Sequence, residues 1–131
     1  MQKIVLEFIN SLRNKKYAKS SISAHHQDLR KFFRWLEVEE KAIADRKTLD
    51  LFRKLSQADI EDYIIFLAKF YKPRTLARHI STLKLFLSYM EIKGLIKTSP
   101  AHRLRFPEII PEAPEMGSQL TLSKKMLMGE S

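Results

Sequence analysis

The first 72 residues of this 131-residue chain contain neither glycine nor proline; all three glycines and all five prolines fall from Pro73 onward. Hairpins and short strands need such residues at every tight turn, so their absence favours a succession of helices. The apolar spacing agrees. Ile4, Phe8 and Leu12, with Val5 and Ile9, predict a first helix over 3–15, and a second covers 21–39. Residues 41–54 read as a charged connector carrying Ile43, Leu49 and Phe52, with room for one short helix. Ser56-Gln57-Ala58-Asp59 is a helix start with an acid in its first turn, leading into a buried stripe of Ile60, Tyr63, Ile64, Leu67 and Phe70 or Tyr71. Pro73 interrupts, a further helix runs over 75–93, and Gly94 is well placed as its C-cap. The expected fold class is all-α, a bundle of four to five helices.

Two of these helices are versions of one pattern. A shift of 54 positions pairs Ser21 with Thr75, Ile22 with Leu76, His25 with His79, Leu29 with Leu83, Phe32 with Phe86, Trp35 with Tyr89 and Glu37 with Glu91. One helical face carries Ile22, His26, Leu29, Phe33 and Leu36 in the first copy and Leu76, Ile80, Leu83, Leu87 and Met90 in the second. Ser20 or Ser21, and Thr75, are good N-cap residues, but neither start has the acid or amide of a capping box. Lys16, Lys19, Arg74 and Arg78 instead bring positive charge to ends where the helix dipole is already positive. Such ends are ready sites for phosphate; taken singly, they are also compatible with ordinary solvated termini that cost about a few tenths of a kcal/mol. Repetition favours the first alternative.

The charge is unevenly distributed. Residues 1–107 hold 22 Lys and Arg against 11 Asp and Glu, +11, while 108–131 hold 2 against 4, −2, giving the net +9. The basic character belongs to the helical part and favours a polyanionic partner. A membrane is a poor candidate, since the longest apolar run is Tyr63 to Ala68 and a span needs about 20 residues. Glu7 and Asn10 interrupt the first apolar stretch, against a secretory signal. With no cysteine, disulfide and thiol chemistry are excluded, and an intracellular, cytoplasmic protein is expected.

Catalytic and metal chemistry find little support. His25 and His26 are neighbours on a helix and point about 100° apart, and His79 and His102 lack ligand spacing to them. Glu39-Glu40 and Glu61-Asp62 are adjacent pairs with no pocket implied, and the scattered glycines make no phosphate loop. No cofactor, metal or small-molecule substrate is expected. Phe32, Phe33, Trp35, Phe86 and Tyr89 are stacking candidates only in principle. Their helical spacing assigns most to the core, with Trp35 and Tyr89 at its edge.

The helix order, with Asp28-Leu29 and Phe32-Phe33 in the second helix, Leu55-Ser56 before the third and Arg78-x-x-Ser81-x-Leu83-Lys84-x-Phe86 in the fourth, resembles the N-terminal core-binding domain of the tyrosine recombinases, the phage-integrase-like family. The likeness spans residues 3 to about 107 and includes the Ser99-Pro100 to Pro107 exit. It implies a SAM-like bundle forming half of a clamp around duplex DNA, with the second and fourth helices at the major groove. A proline-containing linker then leads to a catalytic domain whose tyrosine attacks the scissile phosphate. The expected organisation is a core-binding domain over 1–107 and a linker or tail over 108–131 leading toward a catalytic domain that this chain lacks. Leu120-Thr121 resembles that domain's opening, although Lys125 stands where an acid is more usual, and Leu120 to Met128 could form a short helix. Tyr17, Tyr63, Tyr71 and Tyr89 all lie in the helical part, none at the nucleophile's position.

Candidate DNA contacts follow from the outward faces of the two repeated helices. Lys19, Ser20, Ser21, Arg74 and Thr75 are assigned to phosphate, and Gln27, Lys31 and Arg78 to base edges. Ser81, Lys84, His25 and His79 flank that surface, and His26 lies at the core edge. Expected partners are double-stranded DNA and other recombinase subunits. The alternatives are a helical interaction domain for an acidic partner, using exposed Leu85 and the apolar tail, and a stand-alone DNA-binding regulator.

Overall fold

A computed structural model describes residues 3–39 and 45–104. These form five helices and no strand: α1 (Lys3–Asn14), α2 (Lys19–Leu36), α3 (Arg46–Lys54), α4 (Gln57–Leu67) and α5 (Pro73–Ile92). The charged connector contains α3. Ile43, the exit from Arg105 to Pro107, and the whole of 108–131 with its Leu120 to Met128 segment lie outside the described residues.

Helix boundaries correct several expectations. Both repeated helices begin two residues earlier than predicted, at Lys19 and Pro73, and so keep the 54-residue offset. Pro73 opens α5 rather than interrupting: at the first position its missing N–H costs nothing and its fixed φ is already helical. Ser20, Ser21 and Thr75 consequently lie inside the first turn and are not caps. Ala18 is the N-cap of α2, extended in backbone and without a side-chain hydrogen bond. In α4 the capping is complete. The Asp59 amide donates to Ser56 Oγ at 3.2 Å, and the Ser56 amide donates to Asp59 Oδ2 at 2.9 Å.

Three helices stop by the same device, a left-handed residue with paired back-bonds to the last turn. In α5 it is Gly94, at φ +78°, with Gly94 N–H donating to the Glu91 carbonyl and Leu95 N–H to the Met90 carbonyl, both at 2.9 Å. In α2 the left-handed residue is Glu37 (φ 62°), with Val38 N–H donating to the Phe33 carbonyl at 2.9 Å. It ends that helix three residues short of the predicted Glu39. In α1 it is Lys16 (φ 68°), with Tyr17 N–H donating to the Leu12 carbonyl at 3.1 Å.

The described residues divide into two compact units, one of residues up to 55 with 82–99 and one of 56–81 with 100–104. The first holds a cluster of edge-to-face phenylalanines. Ring centroids lie 5.2 Å apart for Phe8 and Phe86, 5.8 Å for Phe33 and Phe86, 6.3 Å for Phe33 and Phe52, and 6.4 Å for Phe32 and Phe52. Phe52 thus brings α3, the least legible segment, into the core. Trp35 and Tyr89 are half-buried, as expected, and Tyr89 packs on Phe8 at 5.6 Å.

A polar network runs through this apolar unit. Thr82 Oγ1 donates to Asp28 Oδ2 at 2.9 Å and lies 2.5 Å from His25 Nδ1; the three residues are 0%, 1% and 7% exposed. A threonine hydroxyl has one proton, here committed to Asp28, so Nδ1 of His25 must be the donor to Thr82. Asp28 and Thr82 are themselves partners in the 54-residue repeat.

In the second unit Ile60, Tyr63, Ile64 and Leu67 of α4 are buried as predicted, together with Leu76 and Ile80 of α5, Ala101 and Leu104. The helix ends at Leu67, which settles the alternative at 70 or 71: Tyr71 is half-buried against His79 at 5.5 Å, while Phe70 is 64% exposed and stacks on exposed Phe66 at 5.4 Å.

Two outcomes follow for stability, both measurable by urea unfolding. Glu37→Gly should stabilise and Gly94→Ala destabilise by about 1 kcal/mol, since each left-handed position then holds the easier or harder residue and Gly94 has no atom within 4 Å of a built Cβ. Thr82→Val, which keeps the shape but withdraws the hydroxyl from Asp28 and His25, should cost about 2–3 kcal/mol, and Thr82→Ser clearly less.

Candidate nucleic-acid interface

The first unit presents the start of α2. The amides of Lys19, Ser20 and Ser21 precede the first helical hydrogen bond, donated by Ile22 N–H to the Ala18 carbonyl at 3.0 Å. No side chain caps this end, no acid lies in its first turn, and Lys19, Ser20 and Ser21 are exposed. Lys15 and Lys16, exposed at the end of α1, precede it in the chain. Dipole, open amides and ammonium groups therefore have the same sign at this end of the helix. Further along, Gln27 is exposed and Lys31 half-buried, four residues apart on one face. Over its whole length α2 carries Lys19, Arg30, Lys31 and Arg34 against Asp28 alone.

The second unit presents the start of α5, again with no acid in the first turn. Lys72 and Arg74 are exposed and Thr75 half-buried. Arg78 and Ser81, exposed, continue the row from Arg74 at i, i+4 and i+7, one face of the helix. Lys84 belongs to the first unit, where it is half-buried and lines an open groove with Leu85, so Leu85 is less exposed than the sequence suggests.

Two residues leave the surface. His25 is not on an outward face: it is buried, bonded to Thr82, with its ring 6.1 Å from that of Tyr17. His79, its repeat partner, is 1% exposed and lies against Tyr71. The inward face of α2 contains Ile22, His25, Leu29 and Phe32, a phase rotated from the one centred on His26, which is half-buried. The i, i+3, i+7, i+10 spacing of those four was readable. The apolar reading passed over it by placing His26, rather than His25, on the inward face.

Among the described residues no group of three His, Cys, Asp or Glu side chains could hold a metal ion. Glu61 accepts a hydrogen bond from Gln57 Nε2 at 3.0 Å. The phenol of Tyr89 is pushed above its usual range, mainly by burial, with Glu7 adding and Lys93 opposing. A phenol so placed stays protonated near neutral pH and is a poor nucleophile. Among the described residues no helix is long and apolar enough to cross a membrane.

Comparison with known proteins agrees with this arrangement of helices. The family model for the phage integrase N-terminal SAM-like domain matches residues 5–94. Tyrosine recombinase XerC of Leptospira interrogans serogroup Icterohaemorrhagiae serovar copenhageni is 33% identical over 112 residues, covering 83% of this chain and 33% of that protein. A tyrosine recombinase of Thermosipho africanus is 25% identical over 116 residues, 88% of this chain and 39% of its own length. One of Agathobacter rectalis is 27% identical over 105 residues, 77% and 31%. The chain thus spans about a third of the length of these curated relatives. No solved structure matches it at comparable significance. With all five described helices in an all-α arrangement and the family model covering α2, α3, α4, α5 and most of α1, the chain belongs to the phage integrase N-terminal SAM-like domain family of the tyrosine recombinases.

Proposed function

We propose that this chain is the part of a site-specific tyrosine recombinase that grips duplex DNA and sets its position, acting in the cytoplasm alongside other recombinase subunits. Strand cleavage and rejoining would belong to a separate C-terminal domain carrying the tyrosine nucleophile, with residues 1–107 the core-binding domain and 108–131 the linker toward it. The observation that carries the proposal is the pair of helix starts 54 residues apart, at Lys19 and Pro73, both basic and both without a first-turn acid. Lys19, Ser20, Ser21, Arg74 and Thr75 would hold phosphates, and Gln27, Lys31 and Arg78 would reach base edges. Ser81 and Lys84 would flank those contacts. His25 is assigned to the interior.

Electrostatic association of this kind has a Kd on the order of 10⁻⁴ to 10⁻⁶ M and a salt slope of about −0.9 per phosphate neutralised. Fluorescence anisotropy with a labelled duplex of about 30 base pairs, titrated at several salt concentrations, measures both. Arg74→Ala and Lys19→Ala should each weaken binding and lower the slope by about 1, while Lys47→Ala, on α3, should leave both unchanged. Equal losses for all three variants would reduce the interaction to bulk charge. No binding even at low salt would remove DNA as the partner.

A further inference from the structure

The buried network of His25, Thr82 and Asp28 joins the two repeated helices, and its place along them bears on more than stability. Asp28 is the tenth residue of α2 and Thr82 the tenth of α5, so the bridge lies at the same depth in both copies of the pattern. All three residues belong to the first unit. Thr82 Oγ1 donates to Asp28 Oδ2 at 2.9 Å and accepts from His25 Nδ1 at 2.5 Å. His25 and Asp28, three residues apart, are neighbours on the inward side of α2, and one hydroxyl of α5 holds both. Two attachment points on α2 fix its rotation, where one would leave a swivel.

The network is the sharper of the two constraints between these helices. Hydrogen bonds hold donor and acceptor within a window of about 0.5 Å. The aromatic contact is looser: Phe33 and Phe86 lie 5.8 Å apart, inside the range of roughly 4.5–7 Å over which ring pairs stay favourable. The angle so fixed matters to one class of DNA contact and not to the other. Gln27 and Lys31 stand one residue before and three after Asp28, about 100° and 60° round the helix on the same side. A side-chain atom 5–6 Å from the axis moves about 2 Å when the helix turns by about 20°, several times the hydrogen-bond window. The backbone at the start of α2, about 2.3 Å from the axis, moves by less than about 1 Å, and the helix dipole keeps its direction.

We infer that Asp28, Thr82 and His25 are positioning residues for sequence discrimination: by fixing the rotation of α2 they keep Gln27 and Lys31 in register with base edges. Being 1%, 0% and 7% exposed, they act through those two side chains and not by touching DNA themselves. The inference rests on the proposed DNA-binding reading, which assigns Gln27 and Lys31 to bases. Phosphate contacts place a protein on the duplex and base contacts read it. Loosening the network therefore lowers discrimination between duplexes and leaves non-specific binding as it was.

Selection from a random duplex pool by the wild type supplies a preferred duplex, and anisotropy then gives the ratio of Kd for a scrambled duplex of the same composition to Kd for the preferred one. Thr82→Val and His25→Phe, which fill the space without the bridging hydroxyl or the Nδ1 donor, should each reduce that ratio about tenfold, the worth of one base contact. Their Kd for the scrambled duplex and their salt slope should match the wild type. Thr82→Ser, which returns the hydroxyl, should restore the ratio. Phe52→Leu, in the core on α3 and outside the network, should lower the urea midpoint yet keep the ratio, which separates positioning from lost stability. If circular dichroism shows Thr82→Val to be unfolded, His25→Phe, which leaves the bond from Thr82 to Asp28 in place, decides alone. A wild-type ratio in either folded variant overturns the inference with DNA binding still standing, as does an equal loss in Phe52→Leu. A wild type that binds duplex but selects no preferred sequence overturns it too. Absence of binding to any duplex removes the DNA reading itself and this inference with it.

Discussion

The Asp28 carboxylate, 1% exposed, is the constraint on which the first unit depends. A buried carboxylate is tolerated only when donors surround it, and here the Thr82 hydroxyl supplies one while accepting in turn from His25. Helix α2 can therefore not slide along α5 by a turn, about 5.4 Å, without stranding that carboxylate. The apolar contact of Phe33 on Phe86 between the two helices would accept many registers. Polar satisfaction selects one, and with it the phase in which Gln27 and Lys19 face outward.

Among the described helices α4 alone has an acid in its first turn. Helix α4 begins as a helix built for stability would, with a reciprocal box between Ser56 and Asp59 and acid in its first turn. Helix α2 begins on Ala18 with no cap and a lysine in first position, and α5 begins with arginine behind its proline. The same local problem is solved in α4 and left electrostatically unfavourable at α2 and α5, while α1 and α3 also lack an acid in the first turn. An anion placed at the start of α2 or α5 would be stabilised by the helix dipole and by the lysine or arginine beside it.

Much of this was legible in residue spacing. The missing glycines and prolines, the 54-residue repeat and the stripe Ile60, Tyr63, Ile64, Leu67 gave the helical class, the paired helices and the inner face of α4. Gly94 marked its own helix end because glycine is the ordinary left-handed residue. Glu37 and Lys16 serve the same role invisibly, since nothing in a glutamate or lysine announces a positive φ. The exposed Phe70 was likewise illegible: its place in the apolar stripe depended on whether the helix continued past Leu67, and it does not.

The candidate site divides along the same line. Sequence alone determined that Lys19, Ser20, Ser21, Arg74, Thr75 and Arg78 gather near two equivalent helix starts, because the offset between copies is a matter of counting and the dipole follows from helicity. It also determined the excess of positive charge. Only tertiary structure decided that His25 and His79 lie inside, since a histidine's burial depends on whether a buried polar partner waits for it, and Thr82 is 57 residues away in the chain. Only tertiary structure set Phe8 of α1 against Phe86 and Tyr89 of α5 and opened a groove between those helices, because periodicity names the inward face of each helix but not the neighbour it meets.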